Sequence, residues 1–160
     1  MKRGGPLKRY TPLRKVRLAS GGKTKRKVNL KKVLWKLFSE YVRRRNATGK
    51  QKKGYVACVS CGEVKLWSQL QAGHYVRASA GMNTYFDEQN VHPQCCRCNI
   101  FLDGNLAPYA LFMLKTYGNG ILAALDERRR VVRKISTSEY LELIEAYKSK
   151  LKALENREAA

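Results

Sequence analysis

Acidic residues are scarce in this 160-residue chain, which holds 12 Asp and Glu against 33 Lys and Arg for a formal net charge of +21. A compact domain with that excess repels itself unless a polyanion or a charge-rich tail takes up the charge. Long apolar runs are missing too. The longest, at about residues 107–114, falls short of the roughly 18 residues that span a bilayer, so no membrane partner is expected. The basic N-terminus lacks the apolar segment of a signal peptide, and Gly4, Gly5, Pro6 and Pro12 break any amphipathic helix of a transit peptide. The expected location is therefore the cytoplasm. With 44% hydrophobic residues the chain can bury one modest core, which excludes a large multidomain enzyme.

The charge that is present is unevenly placed. Residues 1–53 carry 20 Lys and Arg and one acid, Glu40, a balance of +19, whereas the remainder carries 13 against 11, a balance of +2. This density points to nucleic acid rather than to a solvated face, an acidic protein or a membrane surface. Residues 1–27 hold 11 Lys and Arg, no acid, two prolines and four glycines, with apolar residues at no regular period. That composition predicts a flexible basic arm over residues 1–28 and one domain over residues 29–160.

From Leu30 the pattern changes: Leu30, Val33, Leu34, Leu37, Phe38, Tyr41 and Val42 trace the stripe of an amphipathic helix, with Asn29 as its cap and Gly49 as its stop. Arg43, Arg44 and Arg45 suit the negative end of its dipole and are also placed to meet phosphate. Apolar pieces at residues 55–58 and 70–76 predict a small antiparallel hairpin. Residues 109–117 and 121–129 read as short helices split by Gly118-Asn119-Gly120. In the last helix Ser136 and Glu139 form a capping box ahead of a stripe of Tyr140, Ile144, Tyr147, Leu151 and Leu154.

Five cysteines without an export signal argue against a disulfide framework, and their grouping argues for a metal. Cys58-Val59-Ser60-Cys61 and Cys95-Cys96-Arg97-Cys98 each offer two sulfurs from one backbone turn, the bite of a tetrahedral zinc site, with Cys96 left spare. Four thiolates close such a site, so this Zn2+ would be structural and any catalysis must come from elsewhere. The segment held between the knuckles contains both histidines, His74 and His92. Hydrolysis of a phosphodiester needs a base for water and a cation to stabilise the leaving oxygen. His74 can be the base. Asn99 follows the last zinc ligand on a helix expected to open there, Asp103 would share its face one turn on if that helix runs so far, and Asp87 and Glu88 lie in the inserted loop, so Mg2+ or Mn2+ could be held. Trp67 and Tyr85 read as core.

The order C-x-x-C, G-H, N, C-x-x-C-N resembles a zinc-stapled HNH (ββα-metal) endonuclease. The fuller string QAGHYVRAS…FDEQNVHPQCCRCN…GN resembles the lambdoid phage NinG/Rap recombination endonucleases, from about Lys53 to Gly120 and more loosely beyond. The resemblance implies His74 as general base, Asn90 as the asparagine that braces the loop, and Asn99 as the residue that binds the catalytic cation. It also implies cleavage of branched recombination intermediates, Holliday junctions and D-loops, in a host bacterial cytoplasm. Many HNH enzymes place a metal-binding Asp just before the base, where this chain has Gly73; His92, Asp87, Glu88 and Asp103 are the candidates to replace it. His92 could equally be a phosphate contact, a supporting group or a zinc ligand.

The expected architecture is α+β: a small zinc-stapled ββα-metal core, HNH- or treble-clef-like, with flanking helices and a disordered basic arm. The expected function is structure-selective endonucleolysis of branched DNA, and cutting two opposed strands suggests a homodimer. The alternative is a non-catalytic zinc-stabilised nucleic-acid-binding module, which has no need of His74 together with Asn99.

Overall fold

The computed structural model describes residues 28–47 and 54–159. The basic arm, Val28 apart, and the helix stop at Gly49 lie outside the described residues.

Helix α1 (Leu30–Arg44) starts where expected, because the Asn29 side-chain oxygen accepts the Lys32 N–H at 3.0 Å. Its apolar stripe buries Leu34, Phe38 and Val42 against Val91 and against Ile144 and Tyr147 of the C-terminal helix. The arginines that close α1 make contacts within the fold. Arg43 donates to the Leu70 carbonyl at 3.3 Å, Arg44 pairs with Glu40 at 2.9 Å, and Arg45 donates to the carbonyls of Glu88 at 2.8 Å and Val91 at 3.1 Å. A guanidinium with five donors satisfies several carbonyls at once, so these residues join α1 to the rest of the fold.

The expected hairpin between residues 55–58 and 70–76 does not form. Strand β1 (Tyr55–Ala57) pairs antiparallel with β2 (Val64–Leu66), and β3 (Gln71–His74) pairs antiparallel with β4 (Val91–Gln94), with Gln71 opposite Gln94 and His74 opposite Val91. The first knuckle is the reason. Gly62 N–H bonds the Cys58 carbonyl and Cys58 N–H bonds the Glu63 carbonyl, both at 2.9 Å, which folds the chain straight back onto β1. The fold is thus α+β, with two small antiparallel sheets among helices.

After β4 come a π-helical turn (Arg97–Phe101), α3 (Leu106–Tyr117), α4 (Ile121–Arg130) and α5 (Thr137–Ala159); a short α2 (Met82–Tyr85) precedes β4. The capping box is present, with Glu139 accepting the Ser136 N–H at 2.8 Å and Ser136 Oγ accepting the Glu139 N–H at 3.2 Å. Asp103, Gly104 and Asn105 all have positive φ, at 47°, 90° and 44°. Gly and Asn are among the residues that tolerate this conformation, and the turn redirects the chain before α3. Among the described residues no helix is long and apolar enough to cross a membrane.

Tyr109, Met113, Ile121 and Leu125 form a core between α3 and α4. The Tyr109 hydroxyl, fully buried, lies 3.0 Å from the Gly73 carbonyl and 2.9 Å from His92 Nδ1. Tyr109→Phe would leave both without this partner, so it is expected to lower stability by about 1–3 kcal/mol. Urea unfolding of the zinc-loaded chain measures this, and an unchanged midpoint would mean that the hydroxyl is not needed.

Candidate functional site

The metal-ligating geometry follows from the two knuckles. The sulfurs of Cys58, Cys61, Cys95 and Cys98 all lie within 4.8 Å of one another, while the exposed Cys96 is outside the group. Cys58, Cys95 and Cys98 are buried beside Ala47, Val56 and Leu70, and Cys61 faces solvent. Burial first, and then the neighbouring Cys95 and Cys61, push the Cys98 thiol up to about 12, although Asn105 donating to its sulfur works the other way. Four crowded sulfurs resist ionising together unless a cation neutralises them. Four soft donors at this separation fit a metal such as zinc. Trp67, read as core, is half-buried against this cluster, with the Arg43 and Arg44 guanidiniums 5.3 and 5.2 Å from its ring.

Beside the cluster, a cleft of about 220 Å³ is lined by His74, Arg77, Asn99 and Asp103, among others. Strand β3 supplies His74 and the π-helical turn that begins after Cys96 supplies Asn99, so both hang on the frame that the cysteines tie together. His74 Nε2 is 3.0 Å from the Tyr85 carbonyl, and its ring stacks on Trp35 at 5.2 Å between centroids with 15° between planes. A carbonyl only accepts, so Nε2 carries the proton and Nδ1 keeps its lone pair in the neutral ring. Burial holds the His74 pKa below the ordinary imidazole value, against the raising effect of the Tyr85 bond. Tyr85, also read as core, is half-buried beside this ring.

Asn90 is buried and ties the loop after β3 together. Its oxygen accepts the Val76 N–H at 2.7 Å, and its nitrogen donates to the carbonyls of Val76 at 3.0 Å and Thr84 at 2.8 Å. The residue after Thr84 is Tyr85, so this bracing sets the carbonyl on which His74 rests. Asn99 donates to Gln71 Oε1 at 2.6 Å, which leaves its own oxygen as an acceptor.

The other candidates separate. Asp103 lines the cleft as an exposed partner of Arg77. The helical turn that carries Asn99 ends at Phe101, so Asp103 reaches the same cleft from the positive-φ turn at residues 103–105 and not from a shared helical face. Asp87 pairs with Arg128 at 2.7 Å, away from the cleft. Glu88 meets Arg45, Tyr147 and Lys150; burial alone would raise its pKa, but these partners hold its carboxyl below the usual range. His92 is enclosed, Nδ1 at 2.9 Å from the Tyr109 hydroxyl and Nε2 at 2.8 Å from that of Tyr117. Burial, aided by the Arg45 charge, pushes its pKa down to about 3. Both of its nitrogens are occupied, so in this arrangement it has neither a lone pair to offer a cation nor an N–H to offer a phosphate, and it stands outside the cysteine group.

One residue that the sequence did not single out lies behind the cleft wall, next to Gly73 and Asn99. Gln94 is fully buried, its Nε2 donates to Ser60 Oγ and to the Gly104 carbonyl, each at 2.6 Å, and its Oε1 has no hydrogen-bond partner.

The chain matches the family model described as Bacteriophage Lambda NinG protein over residues 12–158. It belongs to the NinG family. The Protein ninG of Escherichia phage 933W is 31% identical over 137 residues, which cover 82% of this chain and 67% of that protein. That of Escherichia phage lambda is 33% identical over 112 residues, 69% of this chain and 53% of that protein. For Salmonella phage P22 the figures are 38% over 82 residues, 51% of this chain and 38% of that protein. The matches thus span between about two fifths and two thirds of the length of these NinG proteins. No solved structure matches the chain.

Proposed function

We propose that this NinG-family chain is a metal-dependent, structure-selective DNA endonuclease of the HNH type. The observation that carries the reading is the pairing, in one cleft, of His74 with its proton fixed on Nε2 and of Asn99 with a free carbonyl oxygen. The order β3, β4 and then a helical turn, stapled by the four cysteines, agrees with a ββα-metal core. A purely structural zinc module would not require a neutral imidazole held this way beside an oxygen donor.

His74 Nδ1 is the atom that would take the proton from an attacking water, and its lowered pKa keeps the ring neutral and competent near pH 7. Asn90 acts through the Tyr85 carbonyl as a positioning residue. Arg77, exposed at the cleft wall, can meet the phosphate once Asp103 releases it. The oxygen donors Asn99 and Asp103 suit Mg2+ or Mn2+, hard cations that keep a small protein ligand set and draw further ligands from water and substrate phosphate. When bound, the cation supplies charge compensation at the phosphate and leaving oxygen. The basic residues of the N-terminal segment would grip the DNA backbone, which positions it without selecting sequence.

The substrate class, Holliday junctions and D-loops of phage recombination in a host bacterial cytoplasm, follows from the resemblance of the residue string to recombination endonucleases. Paired incision of opposed strands would call for two copies of the chain. Zinc-loaded protein incubated with magnesium and either a four-way junction or a linear duplex of the same sequence tests this class. Preferential nicking of the junction is expected. Equal nicking of both would remove the structure selectivity, and tight binding without nicking would favour the binding module.

A further inference from the structure

The Gln94 carboxamide is held at one end only. Because the Gly104 backbone carbonyl can only accept, the end facing it must be the amide nitrogen, which fixes Oε1 at the other end. That oxygen is buried and unpartnered. Buried acceptors are nearly always satisfied, so an orphan of this kind points to a ligand.

The direction of Oε1 is set by Gly73. A Cβ at position 73 would come within 1.9 Å of Gln94 Oε1 and within 2.9 Å of Asn99 Oδ1. Two amide oxygens, one from β4 and one from the π-helical turn, thus converge on the space that a side chain at 73 would fill, one residue before His74. Only a residue without a side chain lets them do so. The exposed Asp103 is the one carboxylate lining the cleft among the described residues.

We infer that Gln94 is a ligand of the catalytic divalent cation, its Oε1 acting with Asn99 Oδ1 in place of the carboxylate that position 73 does not supply. The inference rests on the hydrolytic reading of the cleft. Amide oxygens are hard donors suited to Mg2+ or Mn2+, but a pair of them brings no negative charge. The free chain should therefore bind the cation weakly, and substrate phosphate should tighten it.

The test uses the intact, zinc-loaded chain and Mg2+ alone, following the side-chain amide NMR signals of Gln94 and Asn99. Both are expected to move along one saturation curve. Asn99 moving while Gln94 stays still would overturn the inference and leave the hydrolytic reading intact. Neither moving, although the same preparation cuts DNA with magnesium, would overturn it as well; this is the result expected if a buried water satisfies Oε1. Both moving in a chain that cuts no DNA would support the ligand and count against the nuclease reading. Gln94→Met should weaken Mg2+ binding about ten- to hundredfold, the scale typical of metal-site substitutions. The control Leu154→Ala, which empties a buried position of α5 outside the cleft lining, should bind Mg2+ as the parent does. Equal losses in the two variants would mean a general effect of destabilisation and would refute the inference. If Gln94→Met does not fold, the parent titration decides.

Discussion

Replacing His74 by alanine is expected to slow junction incision by about a hundred- to ten-thousandfold, the usual loss when a general base is removed. Zinc content and junction affinity should stay at parent values, because His74 is not among the clustered sulfurs and the proposed grip on DNA rests on Lys and Arg. Asn99→Ala should look similar, but excess manganese should partly restore it, since a cation that binds more tightly than magnesium can compensate for one lost ligand and cannot replace a base. The pH dependence has a definite sign. The base works when neutral, so the parent rate should rise with pH through the His74 ionisation. Burial shifts that ionisation below the ordinary value of 6.5, so the plateau should be reached at a lower pH than for an exposed imidazole. A rate still climbing well above 6.5 would assign the limb to another group. If His74→Ala instead lost its zinc, the histidine would belong to the metal cluster and one of the four cysteines would have to be reassigned.

Removal of zinc should unfold the centre of the molecule. Cys58, Cys95 and Cys98 are buried in the same cluster as Val56 and Leu70, so metal-binding free energy is folding free energy here. Structural zinc sites bind with on the order of 10–16 kcal/mol, which matches the roughly 5–15 kcal/mol stability of a whole domain. Elemental analysis should find about one zinc per chain, as one four-thiolate site requires. Chelation, or Cys58→Ser or Cys98→Ser, should abolish the cooperative thermal transition, whereas Cys96→Ser should leave zinc content and melting unchanged. A stripped chain that melts as before would remove the cysteines from the account of stability.

Local signals in the sequence transferred well to the structure. The stripe and Asn29 cap of α1, the Ser136–Glu139 capping box, the helices split around Gly118, and the choice of Cys95 and Cys98 over Cys96 all depend on residues a turn or two apart. Strand pairing was less legible. The apolar pieces at residues 55–58 and 70–76 look alike, and only the backbone closure of the first knuckle shows that the strands within them take different partners. Asp103 lines the cleft with Asn99, but from a turn of three successive positive-φ residues rather than from a continued helix, and no periodicity announces that turn. His92 resembled a ligand because its partners, the hydroxyls of Tyr109 and Tyr117, lie 17 and 25 residues away. Gln94 gave no signal, since a glutamine beside a cysteine knuckle reads as an ordinary polar residue. The one available hint was Gly73: a missing side chain where a ligand is expected asks what fills the space.

The most direct test of the account is incision of a labelled four-way junction by the purified, zinc-loaded chain, with and without magnesium or manganese. The account predicts discrete nicks that appear only with the divalent cation and disappear in His74→Ala. A chain that binds the junction tightly and leaves every strand intact in both cations would contradict it.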